Sequence, residues 1–239
     1  MSKGKLHLIP VPLSGAGISQ MSGSAIETAR SCRFFLAERA KTARQFIKGI
    51  SHPLPLLQIE VQDWEANTIA EHWKWLQMLL DQGEDVCLVS EAGAPCVADP
   101  GHEMVIKAHQ GGYTVVPHAG PNSMIMALMS SGLVGQQFCF HGYLPAKKEF
   151  LREALIKIGQ QALKTNATQL FMETPYRNKQ MFEISLSVLQ QDLYLCVASN
   201  LGAPNELIQT KTIKDWKSVN VAIYQDAPAI FVLGQGPIV

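Results

Sequence analysis

Short apolar runs alternate with helical patterns along the first half of the chain. Four runs, at residues 6–9, 34–37, 86–89 and 113–116, are typical of buried strands. Helices are predicted between them at 24–31, 41–47 and 64–81, and another from residue 102. In the third of these, Ile69, Trp73, Leu76 and Leu80 recur at helical spacing, and residues 54–61 are expected to be extended. This alternation predicts an α/β fold.

The second half repeats the alternation. A helix is predicted after Asn122, strands at 138–141, 169–172 and 193–198, and helices at 147–163 and 177–189. The strand at 193–198 has two candidate partners, 206–211 and 229–233, and both remain open. The pattern therefore predicts two α/β domains, 1–118 and 119–239, that join near Gly120 and Pro121.

Two loops of small residues follow strand candidates. Residues 90–101, which begin Ser-Glu-Ala-Gly-Ala-Pro and end Asp-Pro-Gly, come after the run at 86–89. Residues 117–123 follow the run at 113–116, and Asn122 or Ser123 can cap the next helix. Ligands of open α/β sheets bind outside the carboxyl ends of strands, and small residues allow close approach to the backbone. The two loops therefore predict a shared binding crevice.

Composition narrows the functional classes. The 239 residues are 47% hydrophobic, and 20 basic residues balance 20 acidic ones, so nothing indicates broad nucleic-acid binding. A local patch at Lys147, Lys148 and Arg152 remains an alternative to an ordinary basic helix end. Gly15 and Gly17 lack the third glycine of a dinucleotide fingerprint, and no P-loop motif is present.

Cysteine and histidine positions predict no metal site. The five cysteines form no Cys-x-x-Cys pair and are expected to be reduced thiols of a cytoplasmic protein. The seven histidines are scattered and form no His-Glu-x-x-His motif. We expect no signal peptide and no membrane association, since the most apolar stretch, 124–134, is too short to span a bilayer.

Several segments together resemble one family. Residues 90–95 and 99–101 are similar to the Ser-Asp-Ala-Gly-Thr-Pro…Asp-Pro-Gly signature of the tetrapyrrole methylase superfamily. Residues 8–13, 37–44, 119–123, 142–148 and 173–177 resemble, in the same order, motifs of its bacterial 16S ribosomal RNA ribose 2′-O-methyltransferase I branch. The matches run over nearly the whole chain.

The resemblance implies a fold and an activity. It implies two αβα domains of the tetrapyrrole methylase type, with S-adenosylmethionine in the cleft between them and usually a homodimer. The activity implied is methyl transfer, with RNA or the small ribosomal subunit as substrate. A sulfonium methyl group is already activated, so the protein mainly has to align donor and acceptor and exclude water.

The chain departs from this branch at several positions. Arg39 replaces an acidic residue, Lys41 replaces an arginine, and residues 199–203 replace an Arg-Glu-Leu-Thr-Lys segment. In the branch, a small domain follows the catalytic core. We expect this chain to be a short form without that domain. Methyltransferase chemistry is therefore better supported than the ribosomal substrate.

The candidate site residues fall into two groups. Cofactor binding is predicted for residues in or near the small loops and their counterparts in the second half: Pro10, Ser90, Ala92, Gly93, Ala94, Asn122, Ser123, Met172, Leu201, Pro228 and Ala229. Acid–base or phosphate-binding roles are predicted for Glu91, Glu38, Arg44 and Arg177, with Lys41 and Asp99 as further candidates. Glu91 has the best position, at the end of the strand, whereas Asp99 is interpreted mainly as a turn residue.

Three functional hypotheses follow. The first is a methyltransferase that uses S-adenosylmethionine to methylate a ribose 2′-hydroxyl of ribosomal RNA. The second is a methyltransferase for a tetrapyrrole or another small molecule. The third is a noncatalytic protein that senses the cofactor or binds a partner.

Overall fold

The computed structural model describes residues 2–13, 17–64, 68–220 and 226–236. The chain forms two compact units, Met1–Asn122 (unit 1) and Ser123–Val239 (unit 2). The interpretation of Gly15 falls in 14–16, outside the described residues. Among the described residues, no helix combines the length and the apolar composition needed to cross a bilayer.

Unit 1 contains a sheet of five parallel strands. Their order in the sheet is β3-β2-β4-β1-β5, so β1 lies between β4 and β5. The strands are β1 (Lys5–Ile9), β2 (Phe34–Ala37), β3 (Glu60–Asp63), β4 (Val86–Val89) and β5 (Thr114–Pro117).

Helices cover both faces of this sheet. The helices are α1 (Gly23–Ser31), α2 (Ala40–Gly49), α3 (Ile69–Asp81) and α4 (His102–Gln110). Because side chains alternate along each strand, β4 sends Cys87 and Val89 to the cluster with α1 and α2. It sends Val86 and Leu88 to the opposite cluster with α3 and α4.

Unit 2 contains a mixed five-stranded sheet of order β6-β7-β10-β8-β9. Its strands are β6 (Phe138–Tyr143), β7 (Thr168–Glu173), β8 (Tyr194–Ser199), β9 (Leu207–Thr212) and β10 (Ala229–Gly234). Strands β6 and β7 are parallel, and the other pairs are antiparallel. The strand predicted at 193–198 pairs with both of its candidate partners, β9 and β10.

The larger apolar cluster of unit 2 lies on one face of its sheet, and α5 (Ser123–Ser131) packs on the other face. The other helices of the unit are α6 (Lys148–Thr165), α7 (Asn178–Val188) and α8 (Ile213–Trp216). Phe171, Phe231, Phe182 and the fully buried Trp216 pack together in this cluster, with α6, α7 and α8 over them. On the other face, Thr210 donates a hydrogen bond to the carbonyl of Ser131 at the end of α5. The predicted α/β class is confirmed.

Two local predictions were wrong. Helix α3 begins at Ile69 and not at residue 64, because Thr68 and Glu71 form a capping box that fixes its first turn. Residues 65–67 lie outside the described part of the chain. Residues 54–61 are not one extended segment: Leu56–Gln58 forms a 3₁₀ turn, and strand β3 starts at Glu60. The five cysteines are free thiols.

Candidate functional site

In the sheet of unit 1, the neighbouring strands β1 and β4 form a topological switch point, where the chain connections leave to opposite faces. The chain leaves β1 through α1 on one face of the sheet, and it leaves β4 through α4 on the other face. The loops that follow these two neighbouring strands therefore diverge at their carboxyl ends. In open α/β sheets, a crevice of this kind is where ligands bind.

The loops after β1 and β4 are joined by backbone hydrogen bonds. The amide of Val11 donates to the carbonyl of Gly93 at 2.9 Å, and the amide of Gly93 donates to the carbonyl of Val11 at 3.0 Å. Gly93 has a φ of 77°, and a Cβ built on it would lie 3.1 Å from Leu13 Cδ2. The positive φ therefore favours glycine here, and a Cβ would in addition force the Leu13 side chain to shift.

The loop after β5 meets the loop after β1. A Cβ built on Gly120 would lie 2.5 Å from the Cβ of Pro10, closer than two carbon atoms can approach. The Ser22 hydroxyl donates to the carbonyl of Ala119 at 2.9 Å and so ties the same loop to the start of α1. The two small-residue loops predicted to share a crevice thus both contact the loop after β1.

Ser90 orders the loop that follows β4. Its side chain is buried, and its hydroxyl donates to the carbonyl of Gly93 at 3.2 Å, with the Ala92 carbonyl at 3.4 Å. Ala92 is exposed and Ala94 is half-buried, so the loop presents small side chains and its backbone.

A cavity of about 400 Å³ adjoins these loops. Apolar side chains of the segment after β1, together with Phe46 of α2, form much of its lining, and the polar groups are Thr42, Gln45, Ser90 and Glu91. The volume lies within the range of small-molecule sites. The full lining is Val11, Pro12, Leu13, Gly17, Ile18, Thr42, Gln45, Phe46, Gly49, Ser90 and Glu91.

Two of the predicted acid–base residues touch each other beside the cavity. The backbone amide of Glu91 donates to Glu38 Oε2 at 3.2 Å. The Thr42 hydroxyl donates to Glu91 Oε1 at 3.1 Å, and Arg39 Nε lies 3.7 Å from the same oxygen. Arg39, which differs from the acidic residue of the resembling branch, therefore faces the carboxylate of Glu91.

A third carboxylate, Asp99, completes the group. Burial raises the pKa of Asp99 to about 6, with the negative charges of Glu38 and Glu91 adding to the shift. A hydrogen bond with Ser90 acts in the opposite direction. The sequence predicts mainly a turn role for Asp99, whereas the structure half-buries its carboxylate near Glu38 and Glu91. The position of Asp99 in a motif that follows a strand is the sequence signal for a role in the site.

The predicted arginines have different surroundings. Arg44 is exposed on α2. Arg177 lies in unit 2, where its Nη2 is 2.9 Å from the fully buried carboxylate of Glu173 and donates to the carbonyls of Leu144 and Pro145. These contacts tie the Arg177 side chain to Glu173 and to the segment at Leu144 and Pro145.

The predicted cofactor residues of unit 2 gather at one edge of its sheet. Met172 pairs with Ile230, and Ala229 begins β10 opposite the last residues of β7 and β8. The carbonyl of Pro228 accepts a hydrogen bond from Asn200, next to the buried Leu201. Within unit 1, Pro10, Ser90, Gly93 and Ala94 form the corresponding group, and Asn122 and Ser123 are the last and first residues of the two units.

Comparison with known proteins identifies the family of the chain. Residues 5–217 match the family described as Tetrapyrrole (Corrin/Porphyrin) Methylases. The chain is 28% identical over 214 residues to the ribosomal RNA small subunit methyltransferase I of Haemophilus influenzae, which covers 89% of this chain and 71% of that relative. It is 30% identical over 207 residues to the protein of the same name from Vibrio cholerae, covering 85% and 67%.

A solved structure shares the fold. The uroporphyrin-III-C-methyltransferase of Thermus thermophilus superposes with a TM-score of 0.54 at 17% identity, covering 97% of this chain and 92% of that one. The small-residue loops at the sheet edge, the match over residues 5–217 and the shared fold lead to one conclusion. The chain belongs to the tetrapyrrole methylase family.

Proposed function

We propose that this chain is an S-adenosylmethionine-dependent methyltransferase that methylates a ribose 2′-hydroxyl of ribosomal RNA. The observation that carries the proposal is the meeting of three loops at the edge of the unit 1 sheet, where Gly120 contacts Pro10 and Gly93 pairs with Val11. The similarity to relatives named for small subunit ribosomal RNA supports the substrate class.

The residues of unit 1 fit an adenosine-bearing cofactor. At Gly120 a Cβ would collide with Pro10, and Gly93 has a positive φ that residues with a side chain rarely adopt, so glycine at both positions keeps the three loops close together. We assign cofactor binding in unit 1 to Pro10, Ser90, Ala92, Gly93, Ala94 and Asn122. Ser123, Met172, Leu201, Pro228 and Ala229 stay predictions drawn from the resemblance.

For methyl transfer, the protein has to align the methyl donor with the acceptor hydroxyl and to supply one proton acceptor. When bound, S-adenosylmethionine supplies an activated methyl group. The carboxylate of Asp99, with its pKa of about 6, is ionised at neutral pH and basic enough to accept the proton of the attacking hydroxyl. Glu91, held by Thr42 and facing Arg39, orients the acceptor, and Glu38 contributes the charge that keeps Asp99 basic.

Methyl transfer to ribosomal subunits tests the proposal. Small subunits are purified from a strain that lacks the gene and incubated with the enzyme and tritium-methyl-labelled cofactor. We expect incorporation into RNA that disappears when the ribose 2′-hydroxyl of the acceptor is replaced by hydrogen. Incorporation into the deoxy acceptor would contradict the ribose assignment.

The same preparation separates the alternatives. Cofactor binding without transfer to RNA, but with transfer to uroporphyrinogen or another small acceptor, would favour a small-molecule methyltransferase. Cofactor binding without any transfer would favour a noncatalytic protein.

The assembly and location are part of the proposal. By resemblance to the family, we expect a homodimer in the cytoplasm, where ribosomal subunits mature. Light scattering of the purified protein tests this expectation, and a monomer at micromolar concentration would contradict it.

A further inference from the structure

Two loops of unit 2 are fixed to each other by side-chain hydrogen bonds. The first, residues 142–148, runs from the end of β6 to the start of α6, and the second, residues 174–180, runs from the end of β7 into the first turn of α7. Arg177 Nη2 donates to the carbonyls of Leu144 and Pro145 at 3.0 and 3.1 Å. Gln180 Nε2 donates to the carbonyl of Ala146 at 3.2 Å. We call these two loops the β6–β7 platform.

A buried ion pair holds the platform in place. Glu173, whose side chain is fully buried, lies 2.9 Å from Arg177 and accepts hydrogen bonds from the amide and hydroxyl of Thr174. An arginine committed to a buried carboxylate and two carbonyls has little freedom to reorient. The residues next to these anchors are therefore presented on a rigid surface.

The platform exposes aromatic rings. Tyr176, next to Arg177, is 82% exposed, and Tyr143, next to Leu144, is 55% exposed. Phe150, in the first turn of α6, is also 55% exposed. A single exposed ring is ordinary, but three beside fixed loops form a surface that offers flat faces to a ligand.

Exposed lysines flank these rings. Lys147 follows Ala146, Lys148 begins α6, and Lys179 precedes Gln180. In the described part of the chain, none of the three lies within 4.0 Å of a carboxylate oxygen. Lys147 and Lys148 stand at the start of an 18-residue helix, where the helix dipole disfavours cations. Lysines at these positions therefore destabilise the first turn of α6. Residues that lower local stability are often found at binding sites.

We propose that the β6–β7 platform binds single-stranded RNA of the substrate, with bases stacked on Tyr176 and Tyr143 and phosphates beside Lys147, Lys148 and Lys179. This inference rests on the proposed function and extends it to the surface that receives the RNA. Stacking on aromatic rings with neighbouring cations is the usual way in which proteins bind unpaired nucleotides. The charge complementarity between three exposed lysines and RNA phosphates favours this ligand over a neutral one.

Fluorescence anisotropy of the 239-residue chain tests the stacking. The probes are a labelled 12-nucleotide oligouridine and a 12-base-pair RNA duplex. We expect Tyr176→Ala to weaken binding of oligouridine about tenfold, and Tyr176→Phe to retain the affinity because it keeps the ring. Equal affinity of Tyr176→Ala and wild type, or tighter binding of the duplex than of the oligouridine, would overturn the inference.

The salt dependence tests the lysines. For single strands, the slope of log affinity against log salt falls by about 0.7 for each lost phosphate contact. The double variant Lys147→Ala/Lys148→Ala should therefore reduce the slope by about 1.4. The matched control is Lys157→Ala/Lys164→Ala, which removes two exposed lysines elsewhere on α6 and should leave the slope unchanged. Equal slopes for the two double variants would contradict the assignment.

Cofactor binding and methyl transfer, measured in parallel, separate this inference from the proposed function. If wild type transfers methyl groups to small subunits and Tyr176→Ala binds and methylates RNA equally well, the RNA-binding role of the platform is wrong and the proposed function stands. If RNA binding depends on Tyr176 but no methyl group is transferred, the RNA-binding role stands and the proposed function is wrong.

Discussion

Gly120 packs so closely against Pro10 that a Cβ on the glycine would lie 2.5 Å from the Cβ of the proline. These residues are far apart in the sequence and meet because β1 is inserted beside β5 in the sheet. A proline ring cannot move aside as a long flexible side chain can. The contact therefore fixes the spacing of two loops at the proposed cofactor site.

Asp99→Asn should remove the pH dependence of methyl transfer. With Asp99 as proton acceptor, the wild-type rate should fall about tenfold per pH unit below its pKa of about 6 and level off above it. The variant should be at least about 100-fold slower and flat over this range. Single-turnover rates from pH 5 to 8 measure both. Asp192→Asn, at an exposed turn, is the control, and an unchanged acid limb in Asp99→Asn would refute the role.

Ser90→Ala should shift the same acid limb to higher pH. The Ser90 hydrogen bond lowers the pKa of Asp99, so its loss should raise that pKa further. The measurement is again the single-turnover pH profile, with Ser187→Ala, a hydroxyl on the surface of α7, as control. An acid limb whose apparent pKa equals or lies below that of wild type would show that Ser90 does not lower the pKa of the titrating group.

Asp99→Asn should also stabilise the protein in a pH-dependent way. The pKa of Asp99 is raised in the folded protein, from 3.8 to about 6, so folding favours the protonated form. The resulting stability is fully present below pH 3.8 and is lost as the pH rises through 6. At pH 8 the variant should therefore be more stable by about 1 kcal/mol after allowance for solvent screening.

Thermal or urea denaturation at two pH values measures this effect. The gain at pH 8 should vanish near pH 4, where wild type is protonated as well. A gain in stability of the same size at both pH values would mean that the charge of Asp99 does not destabilise the folded protein.

Arg177→Met should destabilise the protein by about 3 kcal/mol or more. It leaves the carboxylate of Glu173 buried without its ion-pair partner. The double variant Arg177→Met/Glu173→Gln should recover much of the loss, because no charge then remains buried. Urea unfolding measures both, and Lys157→Met, at an exposed position of α6, is the control. Failure of the second substitution to recover stability would contradict this reading of the pair.

Most of the fold follows from apolar patterning. Strand β2 occupies the predicted residues Phe34–Ala37, because a fully buried strand is a short apolar run and little else in the chain competes for it. The start of α3 was missed although Thr68 and Glu71 carry a readable capping signal. Periodicity extends a helix as far as apolar residues recur, whereas the cap decides where it begins.

The candidate site is only partly visible in the sequence. Small residues after strands indicate a binding edge, and Ser90 and Gly93 lie there. The strand order, however, decides that Gly120 meets Pro10, and no local pattern encodes that order. The pKa of Asp99 likewise depends on burial and on Glu38, which is remote in the sequence. Such properties arise from tertiary packing.

Calorimetric titration with S-adenosylmethionine measures whether the three loops of unit 1 bind the cofactor. The wild-type chain should bind one cofactor per chain, Gly120→Ala should bind at least about tenfold more weakly, and Gly135→Ala, where a Cβ meets no atom within 4 Å, should bind like wild type. No binding by the wild type at millimolar cofactor, or equal affinities for the two glycine variants, would contradict the account.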